Sequence, residues 1–222
     1  MNSITLDSND CTTIAAMAKH VAPKAEVRYY LIGVALECTA SGWLALATDG
    51  HVMTIGRLNN AATDAAPIGT QIIIPRDVAL GMAKQFGAVL TFDTSLGPRT
   101  LRHGDVTVTL DPNAATWTFP DWRRVVPTTI SGEVAQFDPA VTGPAHAVAL
   151  DMYNAWRKPR DRKQTLFAHL AHNGKGASCI TFADVDLYAI VMPMRSDPIP
   201  RPCWVLADTR AAEVDVDEAQ AA

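Results

Sequence analysis

The chain has 222 residues, 48% of them apolar and 19% charged, with a formal net charge of −4. That length buries a sizeable core, while the acidic balance excludes a protein that coats nucleic acid through overall positive charge, though not one with a local basic surface. No apolar run approaches the ~18 residues of a membrane span, and residues 1–7 lack a basic segment followed by an apolar one, so no secretory signal is legible and a cytoplasmic, non-membrane protein is expected.

Cys11, Cys38, Cys179 and Cys203 are scattered without a close pair. Zinc ligands come at short spacing and disulfide frameworks belong to oxidising compartments, so reduced, partly buried thiols are expected.

Residues 3–8 alternate like a strand, and 11–22 carry Ile14, Met17, Ala18 and Val21 on one helical stripe, stopped by Pro23. Three strands follow at 28–38, 43–48 and 51–58, separated by turns at Gly42 and Asp49-Gly50. Residues 59–69 are small and polar, the composition of a loop. The order then recurs: a strand at 71–74, a helix at 77–86 with Val78, Met82 and Phe86 on one face, Gly87 as its cap, and strands at 89–94, 99–103 and 105–110.

A third copy begins with a strand at 133–137. Asp138-Pro139 has the form of an N-cap and first-turn proline, opening a helix to about residue 153 that Gly143-Pro144 is expected to kink or delay. Strands at 166–171, 177–182 and 187–191 complete the unit. The sequence is thus an internal repeat of strand, helix and three strands, legible in pattern rather than in residue identity. Beyond Arg195, Pro198, Pro200 and Pro202 exclude regular pairing, 203–206 could form one short strand, and 214–222 is acidic, alanine-rich and expected to fray.

Four strings carry more than pattern. They are Glu26-Val27-Arg28-Tyr29-Tyr30-Leu31-Ile32-Gly33-Val34, Ala47-Thr48-Asp49-Gly50-His51, Phe119-Pro120-Asp121-Trp122-Arg123-Arg124-Val125-Val126-Pro127 and Val191-Met192-Pro193-Met194-Arg195. In that order they resemble, in the bacterial DNA polymerase III beta subunit (sliding clamp) family, the opening strand of the middle domain, a turn within it, the connector to the last domain, and the carboxyl-terminal motif. The resemblance covers residues 3 to about 195. It implies a DNA-clamp fold, an α/β (α+β) architecture with antiparallel sheets outside and helices inside, in a shortened form of about one and a half clamp domains. Residues 1–127 would be a middle-type domain of two units, 128–197 a half domain resembling the second half of the last domain, and 198–222 a tail.

The resemblance also implies a hydrophobic pocket for short peptides of polymerases and other clients. Its walls here would be Leu31, Thr48, Gly50, His51, Met53, Pro120, Arg124, Val125, Ile190, Met192, Pro193 and Met194. A Met-rich apolar lining suits a site that accepts several related peptides. Two positions depart from the family: Val52 stands where arginine is usual and Ile32 where asparagine is common. DNA would be faced by Lys19, Lys24, Arg76 and Lys84 on or beside the first two helices, and by Arg157, Lys158, Arg160, Arg162 and Lys163 in the loop after the third. Phosphate contacts of that kind are independent of sequence and sensitive to salt.

The expected partners are double-stranded DNA held topologically, a DNA polymerase and other proteins with clamp-binding motifs, and a clamp loader. Further copies of the chain are also expected: a ring of about a dozen units at three per chain needs about four chains, so a homo-oligomer, with a tetramer favoured, is implied. A mobile element such as a phage or plasmid is a natural source of so short a form. The alternative is a decoy or adaptor that uses the same pocket to sequester host replication proteins without encircling DNA.

Neither an enzyme nor a cofactor site is expected, because the chain has no phosphate-cradling glycine loop with a lysine, no nucleophile-elbow serine and no convincing carboxylate pair. His169 and His172 fall on opposite faces of the predicted strand, which does not make a metal chelate. Gln164-Thr165-Leu166-Phe167 faintly resembles a clamp-binding peptide, but its place at the start of a predicted strand favours core packing.

Overall fold

The computed structural model describes residues 2–58, 62–63, 66–82, 88–92, 100–103, 106–110, 118–135, 137, 139–156 and 166–193. The first unit opens with strand β1 (Asn2–Leu6) and helix α1 (Ser8–His20). The helix starts earlier than the apolar stripe alone indicates because Asp7 caps it: its carboxylate accepts from the backbone N–H groups of Asn9 and Asp10, each at 2.8 Å, and Asp10 returns a bond to the Asp7 N–H at 3.3 Å. Strands β2 (Gly33–Thr39), β3 (Gly42–Thr48) and β4 (Val52–Arg57) complete it.

The expected strand at 28–38 is corrected in its first half. Tyr29–Leu31 is a 3-10 turn, closed by the Leu31 N–H on the Arg28 carbonyl at 2.9 Å and the Ile32 N–H on that of Tyr29 at 3.0 Å. Pairing begins only at Gly33, where a Cβ would stand 2.5 Å from the Ile74 carbonyl oxygen of the neighbouring strand.

The second unit holds β6 (Gln71–Pro75), α2 (Arg76–Gly81), β7 (Ala88–Phe92), β8 (Thr100–His103) and β9 (Val106–Thr109). A two-residue strand, β5 (Ala62–Thr63), lies within the stretch expected to be loop. The end of the helix expected at 77–86, with its cap at Gly87, falls outside the described residues.

The third unit has α3 (Pro139–Trp156), β10 (Ala168–Ala171), β11 (Ser178–Phe182) and β12 (Leu187–Val191). One expectation fails here. Residues 133–135 do not form a strand; the stretch instead bonds the turn after β10, with the Gly132 N–H on the His172 carbonyl at 3.1 Å and the Gly174 N–H on that of Glu133 at 2.8 Å. Gly143-Pro144, expected to kink the third helix or delay its start, does not delay it, since α3 opens at Pro139 and runs through Pro144. An interior proline costs about 3 kcal/mol; burial of Ala145, Val148, Ala149 and Met152 just beyond it is a larger return.

The strands form two antiparallel sheets, one ordered β5-β1-β7-β8-β9 and the other β10-β11-β12-β4-β3-β2-β6. The first two units exchange their opening strands, so that β1 pairs with β7 of the second and β6 with β2 of the first. The larger sheet also carries β12 onto β4, joining strands from both sides of the boundary expected near residue 127.

Helix α1 packs between α2 and α3 against one face of that larger sheet. Along its strands the side chains alternate. Val34, Leu36, Trp43, Ala45, Ala47, Val52, Ala189 and Val191 belong to the core beneath the helices. Ala35, Leu46, Met53, Ile55, Ile73 and Ile190 face the other way, into a second apolar cluster under the connector at Phe119 and Trp122. The candidate site lies on that second face.

Candidate functional site: a cavity where four strings meet

The Asp49 corner is built by its own side chains. Asp49 Oδ1 accepts from the backbone N–H groups of His51 and Val52, each at 2.8 Å, while Thr48 Oγ1 donates to the Val52 carbonyl at 2.8 Å and accepts from the Gly50 N–H at 3.1 Å. Gly50 sits at φ +96°, a conformation that side chains with a Cβ rarely adopt. The corner is tied to the last string by the Met192 N–H, which donates to the His51 carbonyl at 2.9 Å.

The connector is held by a buried carboxylate. Glu37 is only 2% exposed although it lies on a strand. It accepts from Gln71 Nε2 at 2.8 Å, from Trp122 Nε1 at 3.1 Å and from Arg123 Nη2, with which it forms an ion pair. Gln71 passes the connection on, its Oε1 accepting from the Phe119 N–H at 3.2 Å. Arg123 also stacks on the Trp122 ring, 4.5 Å from its centroid. A buried charge is tolerable only when it is paired and fully hydrogen-bonded, and here all three donors come from the groups that position the connector.

Between these pieces lies an open cavity of ≈ 160 Å³ with a mainly apolar wall. The first string contributes Leu31, the Asp49 corner Thr48, Gly50 and His51, strand β4 Met53, the connector Pro120 and Val125, and the last strand and its extension Ile190 and Met192. Arg124 and Pro193 do not line it, and Met194 lies outside the described residues. The cavity adds three residues that the sequence did not single out as walls: Arg28, Tyr30 and Val52. The 3-10 turn explains Tyr30, because it brings Tyr30 and its neighbour Leu31, which a strand would place on opposite faces, to the same wall. Arg28 stands at the mouth with its guanidinium 3.3 Å from where a Cβ on Gly50 would be. It is held by Glu26 at 3.0 Å, and the hydrogen bonds from Arg28 draw the Glu26 carboxyl down to about 2.

The expected DNA-facing residues have mixed placements. Lys19, in the last turn of α1, pairs with Asp151 of α3 at 3.1 Å. Lys24 is exposed. Arg76 is largely buried and donates from Nε to the Ala22 carbonyl at 3.2 Å, bracing the chain after α1. Lys84, Arg157, Lys158, Arg160, Arg162 and Lys163 lie outside the described residues.

Among the described residues no group of three or more His, Cys, Asp or Glu is placed to hold a metal ion. His172 lies just past β10, where its ring stacks on Phe137 at 5.9 Å. Phe167 is exposed rather than packed in the core. No described helix is long and apolar enough to cross a membrane.

Solved structures supply the comparison for this arrangement. A DNA polymerase sliding clamp from Pseudomonas aeruginosa matches 87% of the chain over 66% of its own, with a TM-score of 0.55 and 16% identity. The DNA polymerase III beta subunit of Thermotoga maritima matches 89% of the chain over 65% of its own, with a TM-score of 0.60 and 11% identity. The chain has the sliding-clamp fold.

In sequence, this clamp-fold chain is 32% identical to the beta sliding clamp of Vibrio cholerae over 109 residues, 46% of the chain and 27% of that protein. It therefore spans about a quarter of that relative in the matched stretch and about two thirds of the solved clamps. No protein-family model matches it. The clamp fold accounts for the two antiparallel sheets and the helix layer on one side.

Proposed function

We propose that this chain is a sliding-clamp-type processivity factor whose cavity binds short linear peptides of client proteins. The observation that carries this reading is the convergence of Leu31, the Thr48–His51 corner, Pro120 with Val125, and Ile190 with Met192 on one apolar cavity. A cleft of that composition, with a few polar groups at its rim, takes apolar side chains of an extended peptide and orients them by backbone contacts. His51 and Arg28 are the rim groups here.

In this reading the chain does no chemistry and needs no cofactor. It assembles with further copies around double-stranded DNA, about four at three units each, is placed there by a loader, and keeps a polymerase or repair protein nearby by raising its effective concentration. The test is a fluorescence-polarisation titration with a labelled clamp-binding peptide of a bacterial polymerase, on the intact chain and on Met192→Ala. Saturable binding weakened by the substitution supports the reading, and no binding by the intact chain overturns it.

A second reading has its own support. Of the three described cations expected to face DNA, Lys19 is paired and Arg76 is a brace, which leaves Lys24 open. Among the described residues, such sparse free positive charge favours a decoy that occupies client peptides without encircling DNA. Retention on closed circular DNA, with release on linearisation, separates the clamp from the decoy.

A further inference from the structure

The first two units satisfy each other in two ways: α2 packs beside α1, and each unit's opening strand completes the other's sheet, β6 beside β2 and β1 beside β7. Strand β10 is the third unit's counterpart of β2 and β7, yet among the described strands it forms an edge of its sheet. Residues 131–135 precede α3 as β1 precedes α1, yet they join no described strand and are held by bonds to the turn after β10.

The side chains show the same incompleteness. One flank of α3 meets α1 through Asp151, which contacts Lys19 and His20. His146 and Leu150 lie on the flank turned away from it, at helical positions roughly 100–140° round from Asp151. There His146 reaches Phe182 of β11, and Leu150 is 50% exposed. Phe167 at the start of β10 is 69% exposed and Val134 is 84% exposed. An unpaired edge strand next to exposed apolar side chains is a template for pairing with another chain.

We infer that the third unit is completed by the third unit of a second copy of this chain, across a two-fold axis, in the relation that the second unit bears to the first. The copy's α3 lies beside this α3 over Leu150, and its 131–135 stretch adds to β10, while this chain's 131–135 adds to the copy's β10. Such a contact is self-complementary and closes on itself, so it makes a dimer and not an open chain. It rests on the proposed function only in taking copies of the chain to associate, and it lies on the helix side and edge of the sheet, away from the peptide cavity.

The test compares the intact chain with Leu150→Glu and Val134→Pro by light scattering across a range of concentrations. Both residues are exposed, so the substitutions leave the isolated fold alone, while the first charges the flank and the second removes a ladder N–H. Hydrogen exchange of the segment 166–171 is measured in parallel. The expected result is an even-numbered oligomer whose 166–171 amides gain protection with concentration, with the dimer weakened at least tenfold in each variant and peptide affinity unchanged. A single chain at all concentrations, or an oligomer that both variants leave intact, overturns the inference. If a variant fails to fold, the concentration dependence of exchange in the intact chain decides alone: flat protection at 166–171 rejects it. Peptide binding by a monomer would leave the cavity reading standing, whereas a dimer that binds no peptide would remove that reading and keep this one.

Discussion

Trp122 Nε1 donates to the carboxylate of Glu37 across 3.1 Å, fastening the connector to the middle of a strand. The indole spans the gap between an irregular segment, which has no ladder of its own, and a sheet that does. Glu37 in turn depends on the connector, because without Trp122 and Arg123 a carboxylate 2% exposed would keep only Gln71.

Replacing Glu37 by Ala should therefore act on fold and site together. Three donors lose their acceptor and one of them is charged, so a loss of roughly 2–4 kcal/mol is expected in urea unfolding. Client-peptide affinity should fall as well, since Pro120 and Val125 ride on the same connector. Trp122→Phe should give the same pattern at smaller amplitude, about 1–2 kcal/mol, by removing one donor. A variant that kept full stability would show that the buried carboxylate does not anchor the connector.

Met192 is half-buried at the cavity and its backbone is tied to His51. Met192→Ala removes the side chain but keeps that backbone bond. Calorimetry should show peptide binding weaker by about 1–3 kcal/mol, the range for an interface anchor. The thermal midpoint should shift little.

At Gly50 the backbone stands at φ +96° with Arg28 close by. Gly50→Ala is expected to cost ~1–2 kcal/mol of stability, from strain at a left-handed position. It should also push the Arg28 guanidinium outward. Chemical denaturation together with peptide titration checks both effects.

Acid should weaken the seam between α1 and α3. Burial raises the Asp151 carboxyl, but the hydrogen bonds from His20 and Lys19 outweigh it and hold the group below the ordinary aspartate value of 3.8. A carboxyl depressed in the folded state contributes fully above that value and loses its contribution as pH falls through the depressed one. Asp151→Asn should then lower stability at neutral pH by roughly 0.2–1 kcal/mol, the range of a partly exposed ion pair, with the difference from the parent closing below pH ~4. An unchanged gap at pH 2 would assign the effect to packing.

Much of the architecture was legible because period-two burial is a local signal. Leu44 and Leu46 face one way from β3 while Trp43, Ala45 and Ala47 face the other, and the sequence alternation reports this directly. The Tyr29–Leu31 turn was not legible, since two tyrosines and a leucine favour a strand on propensity, and the decision is made by Gly33 meeting Ile74 across the sheet. Nor was the missing strand at 133–135, whose composition is compatible with pairing but which pairs with no described strand. In the site, Tyr30 went unnoticed for the same reason as the turn. Val52 is nearly fully buried with its side chain in the core beneath the helices, and its place at the cavity depends on main-chain approach, which residue type does not reveal.

The alternation along β4 and β12 has a consequence for folding fidelity. Met53 and Ile190 line the cavity, while the side chains of their immediate neighbours Val52 and Val191 meet the core beneath the helices. A slip of one residue between these strands would turn every such pair over, presenting stiff valines outward and driving a methionine into space shaped for a smaller side chain. The main-chain bond from Met192 to His51 lies at the end of that ladder and sets its phase. Correct alignment of the last strand and completion of the cavity wall are therefore one event.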